Sequence, residues 1–181
     1  MILPVYAFGH PVLRKKCKDI EQRSEALNAL IDDMFETMYN ASGVGLAAPQ
    51  IGRPIRLFIV DTVQLDKEGQ GIKKVFINAQ ILEETGQEWD YEEGCLSIPD
   101  VNGEVSRPPV VRIKYLDENW EEQIDTFDGM DARVIQHEYD HIEGILFTDL
   151  LKPLKKKRVQ KKLDKIKQAK IALKYPMVFV R

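Results

Sequence analysis

The spacing of apolar residues changes period several times along the chain, and each change marks an element. Ala26, Leu27, Leu30, Ile31, Met34 and Met38 fall at helical spacing, which gives one buried stripe. With Ser24 as N-cap, this predicts a helix from about Ser24 to Tyr39. Ahead of it, Leu3 to Val12 reads as extended, because Pro4 and Pro11 bar a helix. Apolar and β-branched runs predict strands at Ile55–Val63 and Lys74–Ile81, with a weaker one at Thr85–Tyr91. Val110–Leu116 and Glu121–Phe127 flank Asp117-Glu118-Asn119-Trp120 as a hairpin. Gln64–Gly71 reads as a polar surface excursion, and Glu92–Pro99 holds too many breakers for uninterrupted strand.

Helical spacing then returns. Met130, Val134, Ile135 and Ile142 lie between Asp128, a cap, and Gly144, a stop. Asp131 favours the positive end of that helix. Leu154, Val159, Leu163, Ile166, Ala169 and Leu173 form a narrow stripe on a lysine-rich rod, predicting a last helix over about Leu154–Leu173. Pro176 ends it, and Met177–Val180 reads as an edge strand or a loose tail.

Length and composition make residues 1–181 one ordinary globular domain: 20.8 kDa, 44% hydrophobic and 30% charged. No run approaches the roughly 18 apolar residues of a membrane span, and Met1–Phe8 lacks the basic lead-in and cleavage site of a signal peptide. Two cysteines make no disulfide framework, so a reducing, cytoplasmic setting is expected. The charge is divided. Lys152–Arg181 carries twelve Lys and Arg against Asp164 alone, whereas the preceding residues carry fourteen basic and 28 acidic side chains. An acidic body with a basic helix and tail suggests a handle for nucleic acid or a ribonucleoprotein.

The densest chemistry lies on the second helix, where Gln136-His137-Glu138-Tyr139-Asp140-His141 spells H-E-x-x-H. At about 3.6 residues per turn, positions i and i+4 share a face, so both imidazoles reach one ion. Glu138 sits beside the first ligand, where a carboxylate moves protons without binding metal. A catalytic site of this type takes three protein ligands and keeps a place for water. Phe147 fills the slot where H-E-x-x-H-x-x-G-x-x-H proteins have a histidine, and no glutamate follows Glu143. Asp149 and Asp164 stay open as third ligands. Cys95 is the stronger candidate, since a thiolate binds Fe²⁺, Zn²⁺ or Co²⁺ and its polar, turn-like surroundings are a poor place for a structural thiol. Cys17, flanked by lysines, reads as a small buried hydrophobe. Gly43 to Gly52 is rich in glycine and alanine and argues for irregular backbone, without the Gly-Lys-Ser/Thr of a phosphate loop.

Three stretches carry a resemblance: Gly43-Val44-Gly45-Leu46-Ala47-Ala48-Pro49-Gln50, Glu93-Gly94-Cys95-Leu96-Ser97 and Gln136–His141. In order and spacing they are similar to the motifs of bacterial peptide deformylases of the type with a C-terminal helix. Gly9-His10-Pro11-Val12-Leu13-Arg14 resembles the family's start, so the similarity spans essentially the whole chain. The resemblance implies an α+β fold, with mixed or antiparallel sheets packed around the H-E-x-x-H helix. It implies hydrolysis of the N-formyl group of formyl-methionyl polypeptides, with release of formate. Cys95, His137 and His141 would hold one divalent ion, Fe²⁺ in the cell, with Zn²⁺, Ni²⁺ or Co²⁺ able to substitute. Glu138 would be the general acid and base, with the Gln50 amide and the Leu96 N–H as oxyanion donors. Substrate would meet Gly43, Val44 and Gly45 along the loop, Glu93 and Gly94 beside the cysteine, and Met130, Val134 and the stem of Arg133 in an apolar pocket. Glu93 is expected to pair with Arg107 and brace the cysteine turn. Two positions depart from the family: Asn102 aligns where some members have an arginine, and His10 stands where aspartate is common and reads as a surface variation.

In that group the C-terminal helix docks on the ribosome, which the basic residues after Leu151 would suit. A monomer is expected, with no membrane and no specific DNA binding. Two other readings stand beside this one. One is a zinc endopeptidase using Asp149 or Asp164; the other is a ribosome-associated or nucleic-acid-binding protein with a structural metal, which needs a fourth ligand.

Overall fold

A computed structural model describes residues 1–180. The chain opens with a short strand, β1 (Val5–Tyr6), and a 3₁₀ turn at Pro11–Arg14. His10 has a local role here rather than being mere surface variation: its Nδ1 accepts from the Val12 N–H at 3.3 Å and caps the turn. The first amphipathic stripe forms α1 (Glu25–Asn40), with Ser24 Oγ accepting from the Leu27 N–H at 3.1 Å as its cap.

Eight further strands and two helices follow. The strands before the second helix are β2 (Gly45–Ala47), β3 (Leu57–Asp61), β4 (Lys73–Thr85), β5 (Trp89–Cys95), β6 (Ile98–Arg107), β7 (Val110–Leu116) and β8 (Glu122–Asp128). Then come α2 (Gly129–Ile142), α3 (Pro153–Lys167) and β9 (Met177–Val178). An antiparallel sheet runs β2-β3-β4-β7-β8, β5 and β6 form a separate hairpin, and β9 pairs in parallel with β1.

The larger sheet is covered on both faces, which explains why all five residues of β3 are buried. Successive side chains point to opposite faces. Phe58 and Val60 join Phe76, Ile113 and Tyr115 beneath Ala132, Val134 and Ile135 of α2. Leu57 and Ile59 join Val75 and Ile77 against Leu27, Ile31, Met34 and Met38 of α1. A third core places Val159, Leu163 and Ile166 of α3 on Ile98, Val101 and Val105 of β6. The mixed α+β architecture around α2 is the one expected.

Two boundaries differ most from expectation. Thr85–Tyr91 is not one strand: Thr85 ends β4 and Trp89 begins β5. The register of β4 on β7 shifts between Ile77 and Gln80 and again between Ile81 and Glu83, and Asn78 adopts φ 51°. Such bulges break the period-two pattern by which a long strand is read. The Glu92–Pro99 stretch is, as expected, not uninterrupted strand: it divides between β5 and β6 around a turn at Leu96 and Ser97. The other difference is the end of α3, which stops at Lys167 instead of near Leu173, which is 56% exposed. Of the Met177–Val180 stretch, Met177–Val178 forms a strand, and Phe179 and Val180 lie outside it. No helix among the described residues is long and apolar enough to cross a membrane.

Candidate metal centre

The centre lies where α2 meets the end of the β5–β6 hairpin. The two imidazoles of α2 lie with ring centroids 5.1 Å apart. Cys95, at the end of β5, brings Sγ to 3.3 Å from His141 Nε2. The ligand atoms of Cys95, His137 and His141 all fall within 4.8 Å of one another, the one such group among the described residues. Asp149 is taken up by Arg14 and the Leu146 N–H, and Asp164 accepts from Gln160. Neither joins the group, so the aspartate-ligated endopeptidase arrangement is overturned.

The donor set fits a divalent ion on its own chemistry. A thiolate with two imidazoles suits iron, zinc, cobalt or nickel. His137 Nδ1 bonds Glu93 Oε1 at 2.9 Å, which fixes the ring and leaves Nε2 for a metal. Glu93 accepts besides from Arg107 Nε (2.7 Å), Arg107 Nη2 (3.0 Å) and Arg133 Nη1 (2.9 Å). Burial by itself would raise this carboxyl, but the hydrogen bonds from His137 and Arg107 and the guanidinium charge hold it well below the usual range. Asp140, in turn, bonds Arg107 Nη1 at 2.8 Å. Glu93 is thus 4% exposed and saturated with donors.

Glu138 is also 4% exposed, and its Oε2 meets no protein donor. Burial pushes its carboxyl up to about 7, with His137 opposing and Glu93 adding to the rise. A Cβ on residue 45 would lie 2.6 Å from Glu138 Oε1, so Gly45 leaves the room this carboxylate occupies. Beyond Gly45 the chain turns through the 3₁₀ segment Ala48–Ile51. Gln50 Oε1 accepts from the Ala47 N–H at 2.9 Å, which settles the orientation of the amide. Its Nε2 therefore faces Cys95 Sγ at 3.5 Å and Ser97 Oγ at 3.2 Å.

These groups line a cavity of about 560 Å³. Gly43, Val44, Gly45 and Gln50 form one side, Glu93, Gly94, Cys95 and Leu96 another, and Met130, Arg133, Val134, His137 and Glu138 the helix side. His141 sits outside the lining, 1% exposed. Arg133 offers only its stem, because its guanidinium bonds Glu93, Val105 O and Trp89 O and lies 4.5 Å from the Trp89 ring centroid. Asn102, at the departing position, lines the cavity as well. So do Leu65, Tyr91, Lys174 and Tyr175, none of which the sequence singles out. Leu65 is one apolar residue inside a polar excursion, and Tyr175 lies in a tail that carries no motif.

The sequence model of the family described as polypeptide deformylase matches residues 2–157. The chain is 53% identical to a peptide deformylase of Christiangramia forsetii, over 99% of this chain and 96% of the relative. Among solved structures it resembles a peptide deformylase from Legionella pneumophila, with TM-score 0.84 and 42% identity over 94% of this chain and 98% of that one. It resembles also a peptide deformylase from Synechococcus elongatus in complex with actinonin, with TM-score 0.80 and 36% identity over 97% and 92% of the two chains.

Proposed function

The chain belongs to the polypeptide deformylase family, and from that premise we propose which of its residues remove the N-formyl group from new polypeptides. Cys95, His137 and His141 hold one divalent ion, Fe²⁺ in the cell, and the same donors accept Zn²⁺, Ni²⁺ or Co²⁺. When bound, the ion supplies Lewis acidity and acidifies water. Glu138 takes a proton from the attacking water as its oxygen adds to the formyl carbon. The C–N bond then breaks, Glu138 passes the proton to the departing amine, and formate leaves. The negative charge that develops on the formyl oxygen is met by Gln50 Nε2 and by the Leu96 N–H.

Other residues of the cavity orient the peptide. Val44 and Gly45 pair with its backbone, with Gly43 and Gly94 leaving space on either side. Met130, Val134 and the stem of Arg133 surround the methionine side chain. Glu93, in the cavity wall, has both oxygens taken up by His137, Arg107 and Arg133, so it braces the wall rather than hydrogen-bonding substrate. The observation that supports this reading best is the pairing of Glu138 Oε2, buried without a protein partner, with a Gln50 amide whose oxygen is already tied. One group is free to exchange a proton, and the other turns its N–H side toward Cys95, where a formyl oxygen can replace one of its present acceptors.

The full chain is read as one catalytic domain, monomeric and cytoplasmic, with the exposed lysines of α3 as its contact to the ribosome. The test of the chemistry is anaerobic formate release from formyl-Met-Ala-Ser, with metal content measured on the same sample. Glu138→Gln should retain the ion and lose about 10²–10⁴-fold in kcat, the usual weight of general acid–base catalysis. A metal-replete Glu138→Gln enzyme with wild-type kcat would remove Glu138 from this role.

A further inference from the structure

The turn between β5 and β6 carries Cys95, Leu96 and Ser97, and two of its successive carbonyls are held from outside the hairpin. Ser97 O accepts from the Phe8 N–H at 2.8 Å, and Leu96 O accepts from Tyr175 Oη at 2.7 Å. Phe8 and Tyr175 come from opposite ends of the chain, and those ends are tied to each other. Val5 N–H donates to Pro176 O at 2.9 Å and Ala7 N–H to Val178 O at 2.8 Å, framing the parallel pair β1–β9. Met177 and Phe179 pack on the same apolar cluster as Cys95 and Ile98. Lys174, one residue before the tyrosine, meets Asp100 Oδ1 at 2.6 Å on the rim of the cavity. This tail lies beyond residues 2–157, the span of the family's sequence model.

We propose that Tyr175 is a positioning residue for deformylation: its hydroxyl anchors the Leu96 carbonyl and so holds in place the turn that presents the Leu96 N–H to the formyl oxygen. The proposal rests on the reading of Gln50 and Leu96 as oxyanion donors. Leu96 sits in a turn outside any continuous ladder, its N–H in the peptide before its Cα and its carbonyl in the peptide after it. Bonds to the Leu96 and Ser97 carbonyls anchor the two peptides that follow, so the turn cannot swing and carry the Leu96 N–H with it, and β9 pairing with β1 holds the tyrosine in reach. Burial pushes the Tyr175 phenol up to about 12, so it is a donor throughout the neutral range. Because a donor aimed in advance acts on charge present only in the transition state, its loss falls on kcat rather than on KM.

The experiment uses the full-length, metal-loaded enzyme and the variant Tyr175→Phe, which keeps the ring and removes only the hydroxyl. Expected are a kcat about three- to tenfold lower, the scale of one neutral hydrogen bond, unchanged KM and metal content, and faster amide exchange at Leu96 and Ser97. A wild-type kcat, or a loss accounted for entirely by KM or by metal content, overturns the proposal. Gln50→Ala run alongside separates the two levels of the argument. If it loses about 10²–10³-fold while Tyr175→Phe matches wild type, the role of Tyr175 fails and the oxyanion reading stands. If neither variant moves kcat, both fall together.

Discussion

The glycine at position 45 constrains Glu138 more than it shapes its own loop. Its φ is not left-handed, so the backbone does not require it; the space does, since a Cβ would stand 2.6 Å from Glu138 Oε1 and 2.8 Å from its Cγ. Gly45→Ala is therefore expected to push the carboxylate aside and lower kcat/KM about 10²-fold, the effect of roughly 1 Å of misplacement. Formate release checks this, with metal content unchanged because Cys95 and both histidines are untouched. Residues of this kind set the limit of what can be read from sequence. The candidate ligands were legible: helical spacing brings His137 and His141 together, and the surroundings of Cys95 suit no structural thiol. The aim of the Gln50 amide was not legible: it depends on the Ala47 N–H occupying the amide oxygen. The second cysteine behaves as its sequence context suggests. Cys17 is 5% exposed, and burial pushes its thiol up to about 11, with Arg56 partly opposing. A raised folded-state value keeps this contribution to stability intact below about pH 9 and removes it as pH rises through about 11. In native protein at pH 8.5, iodoacetamide should leave Cys17 unmodified, as read by peptide mass spectrometry, and label it after unfolding.

Helix ends and strand faces show why some elements were foreseen and others not. Both α2 and α3 close with the same geometry. In α2, Gly144 at φ 76° donates to His141 O and the following Ile145 N–H to Asp140 O. In α3, Ala169 at φ 54° donates to Ile166 O and Lys170 N–H to Lys165 O. Each is a Schellman closure, which favours glycine at the left-handed residue. Gly144 announces its stop in the sequence; Ala169 does not, and the apolar stripe reads on through it to Leu173. The same mismatch identifies a stabilising change. Ala169→Gly should relieve the left-handed strain and raise unfolding free energy by about 0.5–1 kcal/mol in urea denaturation, without altering catalysis. Strand β6 was invisible for a different reason. Its inward positions from Val101 onward alternate correctly, but two of them are Gly103 and Arg107, which no hydrophobic pattern registers. Gly103 is required because Leu151 packs 2.4 Å from where its Cβ would be, and Arg107 because Glu93 needs its guanidinium. Close packing and the support of Glu93 thus hid the strand that pairs with β5.

Across the whole molecule, the acidic body and the basic C-terminal segment are brought into one fold without cancelling each other. The buried stripe of α3, Val159, Leu163 and Ile166, faces the hairpin, which leaves the opposite face to water. Lys157, Lys161 and Lys165 lie on that outer face at i, i+4 spacing, exposed and without an ion-pair partner among the described residues. By contrast, Lys152 and Lys174 approach Glu104 and Asp100 of the hairpin. Removing the whole segment after Leu151 would test little, because it would also strip a core face, the β1–β9 pair and Tyr175 from the molecule. Neutralising only the three outer lysines isolates the charge. Each phosphate contact contributes about 0.7–0.9 to the slope of log affinity against log salt. The triple Lys→Gln variant should therefore sediment with ribosomes with a slope shallower by about 2, while its thermal stability stays within the small range of exposed substitutions. Formate release from a short formyl peptide should be unaffected, since none of the three lysines lines the cavity. An unchanged salt slope would mean that this face of α3 does not meet the ribosome, and that its lysines serve only to keep the outer side of the helix in water.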